Sequence, residues 1–310
     1  MMGAMHVDRY APSPTSDLHL GNLRTALAGW LLAKAAGGQW LMRVEDLDTA
    51  RVRAAEGVEE RQLADLHSLG LDWDGGVVRQ SERLAAYRDA VARLPTYECY
   101  CTRREIAEAA SAPHGDGYRP YPGTCRDLTE AQWAAKRATR PAALRVDAGG
   151  ATCTVLDAHA GEVTGTVDDF VLVRGDGQYA YNLAVVVDDI AMGVTHITRG
   201  ADLLSSAPRQ AWLTRALGGT PAAYAHVGLV TNARGERLAK RDGSVTLGDL
   251  SPRTSEDVLA MLTASLGLGP CRTTEEALAA MPGDQRFFSG AMWDGGQLVA
   301  VSATSRMSMT

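Results

Sequence analysis

A chain of 310 residues, 45% hydrophobic and 22% charged, has the apolar material for one substantial core plus an inserted or appended subdomain. A net charge of −6 excludes a protein that grips nucleic acid by bulk positive charge, so any RNA specificity has to come from shape and a few contacts. No run of ~18 apolar residues spans a membrane, the opening MMGAMHVDRY lacks a signal-peptide core, and five cysteines point to reduced thiols or metal ligation in the cytoplasm.

The first predicted element is a short strand carrying Val7 and Tyr10. It breaks at Pro12 and Pro14 and restarts as a helix, in which Leu20, Leu23, Leu27, Trp30 and Leu31 recur at helical spacing. A strand that ends in a tight loop and resumes as a helix leaves unpaired N–H groups at the helix start. With the dipole, these attract phosphate. His19 and Gly21 lie at that point. Gly21 lets a bulky ligand approach the backbone, and His19 can donate to a phosphate oxygen as charge builds there. Taken alone, the same His-x-Gly reads as a surface histidine before an amphipathic helix.

Residues 39–45 form a predicted buried strand ending in Glu45-Asp46-Leu47-Asp48, at the kind of carboxyl edge where open α/β sheets bind ligands. Asp46 and Asp48 also fit turn and cap roles. Amphipathic helices over 55–69 and 81–94, joined by a Gly-rich turn, show no sign of chemistry and complete a right-handed crossover. From residue 97 the composition shifts. Cys99-Tyr100-Cys101 and, beyond a Gly/Pro-rich loop, Cys125 lie in a stretch too poor in apolar residues to hold itself together by burial. Three thiols there point to a zinc knuckle, with Tyr118 or the chemically more usual His114 as a fourth ligand. Cys153 and Cys271 have no partner pattern.

Strands over 144–147 and 162–167 and a strand–turn–strand over 169–180 come next. A helix then begins at Tyr181, with Leu183, Val186, Val187 and Ile190 spaced by three and four. On it, Asp188 and Asp189 fit a cap, a basic partner or a ribose contact equally well. A strand over 194–199 delivers Arg199 to another carboxyl edge. After a helix (202–217) and a strand (223–230) comes a polar, basic loop over 232–243. Helices over 255–266 and, more weakly, 275–281 follow, and the Gly/Ser-rich end over 287–310 is expected to be poorly packed.

His19-Leu20-Gly21-Asn22 together with Arg237-Leu238-Ala239-Lys240-Arg241 resembles the HIGH and KMSKS signatures of the class I aminoacyl-tRNA synthetases. RYAPSPT, RVEDLD, YNLAVVVDD, GVTHITRGADL and the Lys240 loop follow in the order found in glutamyl-tRNA synthetases. YAYNLAVVVDD and the short length are most similar to the glutamyl-queuosine tRNA(Asp) synthetases, over roughly residues 5–250. The resemblance implies an α/β fold: a Rossmann-like class I catalytic core (5–96 and 169–250), a zinc-bearing insertion (97–168) and a short helical extension (251–286). It implies ATP with Mg2+, L-glutamate and the anticodon arm of tRNA(Asp) as partners of a monomer. His19, Gly21 and Lys240 would meet the triphosphate, Lys240 following its charge through the transition state. Arg9 would face the glutamate carboxylates and Glu45 the amino group, with Ala11, Pro12, Ser13, Tyr181 and Arg199 completing the pocket. An amino acid with an extra carboxylate needs both a cation and an anion at its site. Structural zinc would be held by Cys99, Cys101, Tyr121 and Cys125, since the family's Tyr-x-x-x-Cys spacing recurs at Tyr121 and Cys125. Ala239 in place of the usual serine, the flanking Arg237 and Arg241, and Asn22 are departures.

The implied reaction is attack of a glutamate carboxylate on the α-phosphorus of ATP, without need of tRNA, then transfer to a hydroxyl of queuosine at the wobble position. About sixty residues after 250 leave no room for an anticodon-reading helical region. A truncated glutamyl-tRNA synthetase charging the tRNA 3′ end shares every site residue. A non-catalytic zinc and nucleotide-binding module would explain Ala239 and Asn22. A small nucleotidyltransferase is disfavoured by Arg9, Glu45 and Arg199.

Overall fold

β1 (Val7–Tyr10) is buried at all four positions, as a central parallel strand covered on both faces should be. It pairs in parallel with β2 (Gln39–Val44), and β2 pairs in parallel with β3 (Val78–Arg79). The crossover between β1 and β2 is α1 (Leu20–Ala35), which buries Leu23, Ala26, Leu27 and Leu31 completely. It is apolar nearly all round because it is packed on more than one side. The computed structural model describes residues 5–102, 104–106, 120–236, 238, 245–282 and 289–301.

α2 (Thr49–Arg53) and α3 (Val58–Ser68) lie between β2 and β3, and α4 (Leu84–Val91) follows. β4 (Thr96–Cys99), α5 (Glu130–Arg137) and β5 (Ala143–Val146) then leave the central layer, and β4 and β5 form an antiparallel sheet with β8 (Val171–Val173). Between them, β6 (Thr152–Asp157) and β7 (Gly161–Thr166) make a hairpin. The chain closes the core with α6 (Tyr181–Ala191), β9 (His196–Gly200), α7 (Ala207–Ala216) and β10 (Ala223–Val227). These strands run in the order β7-β6-β10-β9, with β10 parallel to both neighbours. β9 also lies beside β1, where Thr195 N–H donates to the Val7 carbonyl at 2.9 Å and Thr198 N–H to the Asp8 carboxylate at 3.2 Å. The carboxyl ends of β1, β2, β9 and β10 therefore gather at one edge.

Two regions differ from the sequence reading. Residues 152–166 belong to the central layer through β6 and β10, so the part that stands apart is the β4-β5-β8 sheet and its cysteine cluster. The alternation of Cys153, Val155 and Asp157 announces a half-buried strand but not the sheet it joins. Residues 289–301, expected to be poorly packed, form β12 (Ala291–Trp293) and β13 (Leu298–Ala300), which pair onto β11 (Val230–Thr231). Ala291 and Leu298 are buried there. α8 (Ser255–Ser265) and α9 (Thr274–Ala279) cover α1. Arg24 of α1, 1% exposed, binds this end together: Nη1 donates to the Gly228 carbonyl, Nε to the Ser265 hydroxyl and Nη2 to the Ser265 and Ser289 carbonyls. Gly228 has no room for a side chain, since a Cβ would sit 2.3 Å from the Gly290 nitrogen.

Asp8 is wholly buried on β1. Its Oδ1 accepts from Arg9 N–H at 2.7 Å and from Thr198 N–H, while Oδ2 has no hydrogen-bond partner among the described residues. Burial, partly offset by Arg9, pushes this carboxyl up to about 6 from 3.8. The cost of its burial is fully present above pH 6 and fades as pH falls toward 4, because the folded state then holds the proton more tightly. Relative to Asp8→Asn, the wild-type protein should gain on the order of 3 kcal/mol between pH 7 and pH 4. Urea unfolding of both proteins at the two pH values measures this. Parallel profiles would mean that the carboxyl stays ionised.

Candidate active site

A cavity of about 510 Å³ opens at the shared carboxyl edge. β1 and the loop after it contribute Arg9, Ala11, Pro12 and Ser13; the start of α1 contributes His19 and Gly21. Glu45 comes from the end of β2, Tyr181 from the start of α6 and Arg199 from β9. These nine sequence candidates, spread over nearly two hundred positions, share one wall. Lys240, with Arg237, Ala239 and Arg241, lies outside the described residues. Its flanks are anchored at the cavity. Leu238 lines it and donates its N–H to the Val230 carbonyl at 3.2 Å. Val245 accepts from Leu20 N–H at 2.9 Å, and Thr246 forms a β-bridge with His19.

The helix start differs from the expectation of vacant N–H groups. His19 is the N-cap of α1: its Nδ1 accepts from Gly21 N–H at 3.1 Å and Asn22 N–H at 3.4 Å, and the Asn22 amide accepts from His19 N–H at 3.2 Å. With Leu20 N–H held by Val245, the first turn is satisfied from within. An Nδ1 that accepts leaves the ring proton on Nε2, so the donor offered by this corner is the imidazole N–H rather than the backbone. Gly21 is what permits the capping pose, since a Cβ would lie 3.0 Å from the His19 ring. Asn22 is a capping residue here.

Below the floor lies a buried charge lattice. Asp189 accepts from Arg9 Nε at 3.0 Å and from Arg43 Nη1 at 2.6 Å, and Arg43 also reaches Glu45 at 3.3 Å. Asp188, wholly buried, accepts from Arg83 Nε at 2.5 Å, Gln80 at 3.0 Å and the Tyr87 hydroxyl at 2.8 Å. Asp188 and Asp189 are therefore partners for basic residues, the choice the sequence left open. Burial raises the Asp189 pKa, but Arg9 and Arg43 outweigh it and hold the carboxyl below its ordinary value. At Glu45 burial dominates over the same two cations, so that carboxyl lies above its ordinary value. Arg9 is held above its ordinary value: burial lowers it most, but Asp189, Asp8 and Tyr181 together outweigh burial and Arg43. The cavity thus presents two fixed guanidinium groups and one carboxylate whose charge is costly until a cation meets it.

Apart from this cavity, the Cys99, Cys101 and Cys125 sulfurs lie within 4.8 Å of one another, with Cys101 and Cys125 at 3.5 Å. A tetrahedral zinc with Zn–S of about 2.3 Å sets its sulfurs ~3.8 Å apart, so the donor set fits. The Tyr121 hydroxyl is 3.4 Å from Cys99 Sγ and 3.7 Å from Cys101 Sγ, at the fourth corner. Cys125 N–H donates to it at 2.8 Å, and the Arg145 guanidinium lies 3.6 Å over the Tyr121 ring. Burial and the neighbouring thiols hold the phenol well above its ordinary pKa, so the oxygen stays protonated unless a metal ion displaces the proton. His114 and Tyr118 lie outside the described residues.

Sequence reasoning missed other groups behind the wall: Arg43, and the Gln210, His226 and Asp157 that surround Arg199. A charged residue inside an apolar strand, as in Trp40-Leu41-Met42-Arg43-Val44, was the available signal.

Residues 6–286 match the family of tRNA synthetases class I (E and Q), catalytic domain. A glutamyl-Q tRNA(Asp) synthetase of Nocardia farcinica is 58% identical over 278 residues, spanning 87% of this chain and 88% of that one. One from Deinococcus radiodurans is 52% identical over 251 residues, spanning 78% and 81%. A glutamate–tRNA synthetase structure from Elizabethkingia anophelis superposes with a TM-score of 0.77 at 26% identity, covering 94% of this chain and 68% of that one. The ordered cavity, the motifs that line it and these relatives together make the chain a member of the class I tRNA synthetases of the E and Q group, within the glutamyl-Q tRNA(Asp) synthetase family.

Proposed function

We propose that the chain activates L-glutamate with ATP and transfers it to queuosine in the anticodon of tRNA(Asp), working as a monomer in the cytoplasm, where ATP and tRNA are found. One observation carries the reading: Arg9, Glu45, Arg199 and the His19 corner meet in a single cavity. The guanidinium groups suit the two carboxylates of glutamate and Glu45 its ammonium group. A glutamate so held turns one carboxylate oxygen toward the α-phosphorus of ATP; the new P–O bond forms as the bond to pyrophosphate breaks, giving glutamyl-adenylate. The protein's part is positioning and charge stabilisation. His19 donates from Nε2, and Lys240 supplies a further cation. Mg2+ bound with the triphosphate would neutralise part of its charge. Zinc at Cys99, Cys101, Tyr121 and Cys125 is the structural part of the same reading.

Glutamate-dependent exchange of pyrophosphate into ATP without tRNA should be detectable. With labelled glutamate and queuosine-containing tRNA(Asp), nuclease digestion should leave label on the anticodon nucleoside. Label on the terminal adenosine would point to 3′-end charging, and no exchange would sink the reading.

A further inference from the structure

Arg199 is buried apart from the side that lines the cavity, and three other groups hold it. Its Nη1 donates to Gln210 at 2.6 Å, its Nη2 to the Leu203 carbonyl at 3.1 Å and its Nε to His226 Nε2 at 3.0 Å. A guanidinium has donors only. His226 Nε2 must therefore accept, which leaves the single ring proton on Nδ1. Nδ1 lies 2.6 Å from Asp157 Oδ2, an acceptor. Neighbours on both sides thus dictate a neutral imidazole in its Nδ1–H form.

Asp157 is fixed in turn. Its Oδ1 accepts from His159 N–H at 2.9 Å and Ala160 N–H at 2.7 Å, and its Oδ2 also accepts from His226 N–H at 3.0 Å. Both residues are 2% exposed. The groups facing the imidazole are Asp157 from β6, Arg199 from β9, Asp202 from the turn after β9, and the Tyr224 ring on its own strand. We propose that Asp157 and His226 are positioning residues for glutamate, holding Arg199 in its cavity-facing pose through the imposed tautomer. The proposal rests on the functional reading above, and it adds that glutamate affinity depends on the protonation of a residue that does not touch the substrate. A second proton on His226 would set a donor against Arg199 Nε–H and add a like charge beside it. Burial lowers the His226 pKa against the pull of Asp157, which keeps the ring neutral at physiological pH.

The decisive variant is Asp157→Asn. Its amide oxygen is claimed by the two backbone N–H groups at the Oδ1 position, so its NH2 faces Nδ1 and the His226 backbone N–H loses its acceptor. The imidazole proton then moves to Nε2, opposite Arg199 Nε–H. In pyrophosphate exchange, the KM for glutamate should rise on the order of tenfold, as expected for one hydrogen bond to a charged group. kcat and the KM for ATP should change far less. His226→Leu should show the same split. His226→Gln, whose amide oxygen still accepts from Arg199, should recover most of the affinity that His226→Leu loses. It should also show a smaller rise in glutamate KM than the wild type as pH falls below 6.5, the remaining rise coming from Glu45. Two-bond 1H–15N spectra of the wild-type protein, with the signal assigned by its loss in His226→Gln, should show an Nδ1-protonated ring. This readout does not depend on turnover or on the folding of Asp157→Asn. An Nε2-protonated ring overturns the proposal, as does an unchanged glutamate KM in Asp157→Asn and His226→Leu. A wild-type protein with no glutamate-dependent exchange overturns the functional reading, and this inference with it.

Discussion

Replacing Asp189 with alanine should lower stability by about 3–5 kcal/mol, the cost of removing one partner from a buried ion pair. Asp189 is the shared counter-ion of Arg9 and Arg43, at 3.0 and 2.6 Å, and the Arg43 side chain has no exposure to water. Without it, two guanidinium groups face each other below the cavity floor with Glu45, Asp188 and Asp8 left near them; Asp188 already serves Arg83, Gln80 and Tyr87, and burial pushes Asp8 toward its neutral form. Arg9 would also lose the contact that aims it, so glutamate binding should weaken in whatever protein remains folded. The comparison is Asp46→Ala, which removes hydrogen bonds to Ser81 at an exposed site and should cost about 1 kcal/mol or less. Urea unfolding of both variants decides the matter. Near-equal losses would mean that water reaches Arg43 when its partner is gone.

Cys125→Ser should abolish zinc binding and loosen the segment around residues 97–128 while the central sheet stays folded. The apolar cluster there is small: Tyr97, Cys99, Tyr121 and Cys125, with a few half-buried neighbours. Burial on that scale cannot replace metal coordination, whose free energy in small zinc modules is on the order of 10 kcal/mol. The sheet beneath has its own fastening in buried Asp169, which accepts from Tyr97 at 2.5 Å, from Ala148 N–H at 3.0 Å and from Arg126. The loss should therefore stop at the loop. Elemental analysis should find one zinc per wild-type chain and essentially none in the variant. Limited proteolysis should cut the variant first within this segment. A metal-free wild-type protein, or equal protease resistance, would remove zinc from the account.

The framework of the molecule was readable because its signals are local. α1, β2 and α6 each carry a run of apolar residues over several positions, and the prolines at 12 and 14 mark the break between β1 and α1. The cavity-lining set came from motif resemblance, which encodes positions rather than contacts. What stayed hidden depends on tertiary neighbours. Nothing near His226 in sequence announces Asp157, 69 positions away, or the guanidinium 27 positions away. Nothing in Asn22 shows that it caps the helix that His19 begins. β12 and β13 are three residues each and bury one side chain apiece, too short for any period to show above a Gly/Ser-rich background.

The Arg24 fastening has a practical corollary for anyone shortening the gene. A version stopped at residue 286, where the family match ends, keeps every cavity-lining side chain. It would nonetheless remove the Ser289 carbonyl from Arg24 and strip β12 from β11. The bared edge of β11, a few residues from the triphosphate corner, would be open to pairing with another molecule. Such a protein would fail through self-association rather than through missing chemistry, and a short polypeptide supplied in trans to re-cover that edge would be the way to restore it.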